Sequence, residues 1–203
     1  MDWINDVKNK QELMTPNYLP MYVKPRPWTS PTDGGYETKA VQSKFLKSNN
    51  KLVGKLTNGT EPFYKAANIL QDTAWTIQQW MLNHAHYAVD KNLEIGCLLP
   101  INGYAVPPYP KHLDEDHPDV TRWRLQARYI HEKNDRTRSK RIAQTKLLWI
   151  AEKFKDEDEI YFVQQLDFRG RYYSRPPFLN PQGNDLARSL LTFAHGTPIK
   201  NED

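Results

Sequence analysis

The sequence predicts a mainly α-helical fold with a small β component, and three features of the 203-residue chain indicate this. A first helix is predicted from Glu61–Pro62 to near Asn92, because proline suits the first helical turn and apolar residues recur at helical spacing. A longer helix is predicted from about residue 120 to 155, with Asp119 as its cap. Residues 161–174, YFVQQLDFRGRYYS, open as an apolar strand and then reach a tight turn.

The segments between these elements have a less regular character. Residues 15–36 contain five of the fifteen prolines and a Gly-Gly pair, which predicts an extended, non-helical segment ending in a turn. Residues 37–60 predict irregular structure with a short helix, and residues 96–118 predict a long surface loop. The apolar face of the first predicted helix consists of Phe63, Ala67, Leu70, Ala74, Ile77 and Met81.

Composition excludes several classes of protein. The single cysteine, Cys97, rules out an internal disulfide and a multi-cysteine metal site. No apolar run approaches the roughly 20 residues that a membrane-spanning helix needs. The start of the chain, MDWINDVKNKQE, looks like neither a secretory signal nor a transit peptide. A formal charge of +4 is compatible with nucleic-acid binding but is weak evidence alone. These features predict a cytoplasmic protein with no membrane partner.

The middle of the long helix is basic and lacks apolar residues. Residues 131–141, HEKNDRTRSKR, are polar on every helix face, and nine lysines or arginines lie between Arg122 and Lys146. A solvated helix surface is one interpretation. A surface that binds phosphates is the other, because the acids within this stretch are only Glu132 and Asp135. In the second interpretation the helices form a projecting arm that lies along a nucleic-acid duplex.

Two arginines flank a glycine in the turn formed by residues 167–171, DFRGR. Gly170 permits a positive φ or a close backbone approach at this point. If the strand continued through the turn, both arginines and Tyr173 would share one face. Arginines beside an aromatic ring can bind phosphates and stack on bases. Alternatively, the arginines pair with Asp167 and Asp185 and only hold the loop.

Four further polar residues are assigned ordinary structural roles. Asp185 is predicted to cap the N-terminus of a helix in LARSLLTF, and His195 to lie at a helix C-terminus, where a cation is favoured. His84 and His86 are two residues apart on a helix and would point to different faces, so a metal site there is not expected.

Four blocks of the sequence together resemble the single-subunit, bacteriophage-type DNA-dependent RNA polymerases. They are VKPRPWTSPTDGGY, YKAANILQDTAWTIQ, LDFRGRYYS and FLNPQGNDLARSLLTFAHGTPI, and they follow the family's order with nearly its spacing. The resemblance covers the chain from about Pro16 to Ile199. Arg-Gly-Arg alone would be weak evidence, whereas NPQGND at this distance after DFRGR is highly specific. Phe168 is a departure, because relatives often have tryptophan there.

The resemblance implies three regions and a nucleic-acid-binding surface. Residues 1–60 would be an extended, Pro-rich segment at the end of the family's N-terminal domain, residues 61–158 a helical thumb-like region, and residues 159–203 the start of the palm. The thumb would wrap the RNA–DNA hybrid, and the palm motif would lie beside it. The residues implied in nucleic-acid binding are Arg138, Lys140 and Arg141 in the thumb, and Arg169, Arg171, Tyr173, Asn184 and Arg188 in the palm.

No catalytic or metal-binding residue is expected in this chain. In the family, two aspartates downstream of GTPI hold two Mg²⁺ ions, and the fingers select the nucleotide. The resemblance therefore implies a larger partner subunit that supplies the rest of the palm, the fingers and the Mg²⁺ ligands. The chain would be the small subunit of a split phage polymerase in the cytoplasm of the infected bacterium. Template DNA and the RNA transcript are expected partners, and a single-stranded-DNA-binding activator is a further candidate. The alternatives are a fragment of a longer chain and a non-catalytic transcription accessory protein.

Overall fold

The protein is described here as a computed structural model covering residues 16–41, 44–47, 59–99 and 103–196. It is mainly helical with small sheets, which confirms the predicted fold class. Helices are α1 (Glu61–Gln71), α2 (Gln79–Asp90), α3 (Pro118–Phe154) and α4 (Asp185–Ser189), with a short 3₁₀ helix at Lys39–Val41. Strands are β1 (Arg26–Ser30), β2 (Asp33–Gly35), β3 (Leu46–Lys47), β4 (Trp75–Ile77), β5 (Gln164–Asp167), β6 (Tyr172–Ser174) and β7 (Leu191–Phe193).

The described residues fall into two compact units. The first lies within Met1–Leu82 and Leu147–Asp203, and the second within Asn83–Lys146. The division into three regions at residues 60 and 158 stays a prediction. No helix in the described part of the chain is long and apolar enough to cross a membrane.

Trp28 organises the core of the first unit. Its side chain is 2% exposed, and the indole N–H donates to the Gln164 carbonyl at 3.0 Å. The Trp28 backbone N–H donates to Asn68 Oδ1 at 2.7 Å, which ties β1 to α1. A Cβ on Gly34, where φ is +137°, would lie 2.7 Å from Trp28, so the Gly-Gly pair allows β2 to pass against the indole. The proline-rich segment is thus a packed hairpin over an aromatic core of Met21, Trp28, Tyr36, Phe45, Tyr64, Ala67, Tyr161, Val163 and Leu166.

The first predicted helix is two helices separated by a strand. α1 ends at Gln71, and β4 follows before α2 begins at Gln79. The interruption arises from long-range pairing, because β4 lies antiparallel to β7 and Trp75 exchanges two backbone hydrogen bonds with Ile160, at 2.9 and 2.7 Å. The predicted apolar face is also partly wrong. Ala67 and Ile77 are buried as predicted, but Phe63 and Leu70 are 44% and 45% exposed. The other buried positions of α1 are Tyr64 and Gln71.

β5 is the central strand of a three-stranded sheet. β3 pairs with it in parallel, and β6 pairs with it antiparallel in the register Gln164 to Ser174, Gln165 to Tyr173 and Leu166 to Tyr172. All four residues of β5 are buried. The hairpin that carries the DFRGR turn therefore projects from a fixed, buried strand.

Candidate nucleic-acid interface

Backbone hydrogen bonds close the five-residue DFRGR turn tightly. The Asp167 N–H donates to the Arg171 carbonyl at 2.9 Å, and the Gly170 N–H donates to the Asp167 carbonyl at 3.1 Å. Gly170 has φ +80°, a conformation that residues with a Cβ rarely adopt. β5 therefore ends at Asp167, and the strand does not continue through the turn. The strand alternation that would place Arg169, Arg171 and Tyr173 on one face is therefore absent at the turn.

The Asp167 carboxylate braces this turn from within. Its Oδ1 accepts the backbone N–H groups of Arg169, at 2.8 Å, and Arg171, at 2.9 Å. Its Oδ2 accepts Arg169 Nε at 3.3 Å. The residue is 6% exposed, and the hydrogen bond from the Arg171 backbone is the largest of the contacts that hold the pKa of the carboxyl below its usual value. Asp167 thus fixes the backbone that presents both arginines.

The two arginine side chains of the turn have different environments. Arg169 is held by Asp167, and its guanidinium carbon lies 5.2 Å from the centre of the exposed Phe168 ring. The Arg171 guanidinium is exposed and makes no side-chain hydrogen bond or ion pair with any described residue. The loop-holding interpretation therefore describes Arg169, while Arg171 presents an uncompensated charge.

Gln182 covers the open edge of β6, and its role was not foreseen from the sequence. Its side-chain amide donates from Nε2 to the Tyr172 carbonyl and accepts the Ser174 N–H at Oε1, both at 2.8 Å. These two bonds imitate a neighbouring strand. Tyr173 lies between the two bonded residues, half-buried, and Tyr172 is anchored by a 3.1 Å bond from its hydroxyl to the Phe63 carbonyl. The NPQGND block thus holds the hairpin in place.

Asn184 and Arg188 lie on the short helix that follows this block. Asn184 is the N-cap of α4, and its Oδ1 accepts the Ala187 N–H at 2.9 Å. The predicted cap, Asp185, is instead the first residue of the helix, where its carboxylate pairs with Arg188. The side-chain oxygen of Asn184 is therefore engaged, and the charge of Arg188 is partly compensated.

His195 follows β7 and does not lie at a helix C-terminus as predicted. Its Nε2 lies 2.6 Å from Glu159 Oε1, and the Tyr161 hydroxyl donates to Glu159 Oε2 at 2.6 Å. The bond from Tyr161, followed by that from His195, lowers the pKa of the Glu159 carboxyl. His195 therefore has a structural partner, the Glu159 carboxylate.

In the second unit, the polar middle of α3 has a covered side. Asn134 accepts the Tyr104 N–H at 2.7 Å and donates to the Tyr104 carbonyl at 2.9 Å. Gln144, 9% exposed, accepts the Leu99 N–H at 3.2 Å, and Thr137 is 9% exposed. These residues lie three, seven or ten positions apart, on one side of the helix. Amide side chains thus fix the preceding segment to α3 where apolar contacts are missing.

The cations of α3 divide into compensated and uncompensated groups. Arg122, Arg124 and Arg128 pair with Asp119, Glu115 and Glu132 at 3.1, 3.9 and 3.1 Å, and Lys133 Nζ lies 3.4 Å from the centre of the Tyr104 ring. Arg136, Arg138 and Lys140 are exposed, and they make no hydrogen bond or ion pair within the described ranges. Arg141 is half-buried. Because successive residues are about 100° apart, Arg138 and Lys140 point to nearly opposite sides of α3.

The described residues do not form a metal site. Within 16–41, 44–47, 59–99 and 103–196, no group of three or more His, Cys, Asp or Glu side chains is placed to hold a metal ion. Both oxygens of Asp167 are occupied by the turn, and Asp185 is paired with Arg188.

The sequence is similar to known polymerases along nearly its whole length. The family model described as DNA-directed RNA polymerase N-terminal matches residues 2–69. The chain is 33% identical to T7 RNA polymerase of Escherichia phage T7 and 32% identical to the DNA-directed RNA polymerase of Enterobacteria phage T3, each over 193 residues. Both matches cover 93% of this chain and 22% of the relative.

A plant relative extends the comparison beyond phages. DNA-directed RNA polymerase 1B, mitochondrial, of Nicotiana tabacum is 29% identical over 196 residues, covering 95% of this chain and 19% of the relative. The chain therefore spans about a fifth of the length of the curated relatives it matches. The family-model match and the phage relatives together support a place for this chain in the family of single-subunit, phage-type DNA-directed RNA polymerases.

Proposed function

We propose that this chain is the nucleic-acid-binding subunit of a split phage-type DNA-directed RNA polymerase. The observation that carries the proposal is the braced turn, in which Asp167 fixes the backbone while the Arg171 guanidinium remains uncompensated. A planar guanidinium on a rigid support suits phosphate oxygens and base edges. The subunit would bind template DNA and the RNA–DNA hybrid.

The remaining candidate residues would extend this contact. Tyr173, next to the Gln182-bound backbone, offers a ring beside the hybrid, and Arg169 offers a partly compensated cation stacked on Phe168. Asn184 retains its side-chain N–H₂ group for a further contact, and Arg188 stands one helical turn later. In the thumb-like region, Arg138, Lys140 and Arg141 would neutralise phosphates, a contact that is independent of base sequence.

Phosphoryl transfer would be completed by a larger partner subunit that carries the fingers and the rest of the palm. Two Mg²⁺ ions bound by that partner would supply activation of the 3′-hydroxyl and charge stabilisation at the leaving pyrophosphate. The residues of this chain would hold and orient the hybrid. Asp167 and Asp185 do not fit a metal pair, because both oxygens of Asp167 are engaged within the turn and Oδ1 of Asp185 pairs with Arg188. We place the assembled enzyme in the cytoplasm of an infected bacterium, with a single-stranded-DNA-binding activator as a further candidate partner.

Reconstitution with a matched pair of variants tests this proposal. The tagged chain is purified from the cells that naturally make it, and any co-purifying polypeptide with the metal-binding aspartates is expressed separately. We expect RNA extension from a preformed hybrid only when both are mixed with Mg²⁺. Arg171→Lys should then reduce the extension rate by about tenfold or more, because a point charge does not replace a planar fork. The control Arg26→Lys, at an arginine paired with Asp33, should extend normally.

Two results would contradict the proposal. Extension by the purified 203-residue chain alone would exclude a split enzyme. A mixture that binds the hybrid but never extends it would favour the non-catalytic accessory protein.

A further inference from the structure

An exposed side of α3 combines apolar and cationic side chains. Leu125 and Tyr129 are 64% and 67% exposed, and they line an open groove with Pro107, Gln126 and Ile130. Arg136 and Lys140 lie seven and eleven residues after Tyr129. At about 100° per residue, Leu125, Tyr129, Arg136 and Lys140 fall within an arc of about 60°. We call these four residues the α3 stripe.

The wall of the groove is held rigidly against α3. The Trp123 indole N–H donates to the Pro107 carbonyl at 2.8 Å, and the Tyr109 ring packs edge-on against Trp123 with centroids 4.9 Å apart. Tyr129 therefore stands beside a fixed apolar surface rather than a loose loop. A ring in this position can stack on a planar group without a large ordering cost.

Charge along the stripe favours a polyanion. Arg136 and Lys140, one helical turn apart, make no hydrogen bond or ion pair in the described part of the chain. Glu132 lies about 20° outside this arc, and its carboxylate accepts Arg128 Nε at 3.1 Å. The stripe thus presents an exposed ring followed by two uncompensated cations.

We propose that the α3 stripe binds a single strand of nucleic acid, with a base stacked on Tyr129 and phosphates at Arg136 and Lys140. Exposed aromatics with cations on one track bind unpaired bases, whose faces are accessible only outside a duplex. This site goes beyond the proposed hybrid contact, because it shares only Lys140 with that contact, and Arg138 points away from the stripe. Leu125 and Pro107 would pack on the sugar and base edges.

Fluorescence anisotropy with the full chain tests the stripe, using labelled dT15 and a blunt DNA duplex as probes. Tyr129→Leu keeps an apolar side chain but removes the ring, so dT15 affinity should fall about tenfold while duplex affinity stays unchanged. Tyr129→Phe should restore wild-type binding. Arg136→Gln with Lys140→Gln should flatten the slope of log affinity against log salt by about 1.4, since each single-strand phosphate contact contributes about 0.7.

The matched control changes the same residue types on the same helix. Arg124→Gln with Lys153→Gln removes two positive charges about 80–100° away from the stripe, and should leave the salt slope unchanged. Equal slopes for the two double variants would overturn the proposal, as would wild-type dT15 binding by Tyr129→Leu. Loss of subunit assembly in Tyr129→Leu, with dT15 binding intact, would assign the stripe to a protein partner and also overturn it. None of these outcomes alters the Arg171 extension test, so the proposed function is judged separately.

Discussion

Asp167 positions the two arginines of the turn through their backbones more than through their charges. Its carboxylate accepts two backbone N–H groups and one guanidinium N–H, and the resulting pKa lies below the usual value. A carboxyl whose folded-state pKa is lowered stabilises the fold above its unfolded pKa of about 4, and this stabilisation is lost as pH falls through the lower folded value.

Asp167→Asn should therefore destabilise the protein most near neutral pH. We expect the difference in unfolding free energy between wild type and variant to be largest at about pH 7 and to shrink below about pH 4. Urea unfolding across this range measures it. A difference that stays constant with pH would show that the charge of Asp167 does not contribute.

Gln182 offers a second test at this scale, because it satisfies two backbone groups of β6. Removing both bonds with Gln182→Ala should lower the unfolding free energy by about 1–2 kcal/mol. Gln78→Ala is the control, since the Gln78 side chain is exposed and makes no hydrogen bond with the described residues. Its effect should stay within about 0.5 kcal/mol. Equal effects of the two variants in urea unfolding would show that the Gln182 hydrogen bonds do not stabilise the hairpin.

Helices, strands and turns that depend on nearby residues were predicted from the sequence better than those that depend on distant partners. The limits of α3 were predicted within about two residues, because its charges, its flanking turn residues and Pro118 all act locally. A strand ending in a tight turn was likewise indicated by the apolar run before Gly170, and β5 and the DFRGR turn confirm it, whereas β6 was not predicted.

β4 could not be predicted in the same way. Its partners, β7 and Ile160, lie far along the chain, so the apolar spacing around Trp75 continued the helical pattern even though Thr76 and Ile77 favour strands. The structural roles of Gln182 and Asn134 were not predicted for a related reason. An amide side chain that replaces a strand or fixes a loop has no periodic signature.

Asn134 joins the polar middle of α3 to Tyr104, so its replacement tests how the preceding segment is held. Asn134→Ala should leave the Tyr104 N–H and carbonyl without these partners and cost about 1–2 kcal/mol of stability. Ser139→Ala, at an exposed site on the same helix, should change stability by about 0.5 kcal/mol or less. Chemical unfolding monitored by Trp fluorescence measures both. A neutral Asn134→Ala would mean that the segment is held by other contacts.

At the scale of the whole molecule, the distribution of charge is more informative than its sum. A net charge of +4 is modest, yet Arg171, Arg136, Arg138 and Lys140 are all exposed and uncompensated among the described residues. The similarity to the two phage polymerases covers 93% of this chain but only 22% of each relative. Both facts support the proposal that this chain holds nucleic acid in a polymerase complex.

Site-specific photocrosslinking tests the central claim, that the DFRGR turn lies at the RNA–DNA hybrid. Phe168, at the tip of the turn, is 74% exposed, so we expect its replacement by a photoreactive phenylalanine to leave the core undisturbed. Val23, 57% exposed and outside every proposed surface, is the matched control. In the reconstituted elongation complex, we predict ultraviolet crosslinks from position 168 to the hybrid and none from position 23. Equal crosslinking from both positions, or none from position 168 in an extending complex, would show that the turn does not lie at the hybrid.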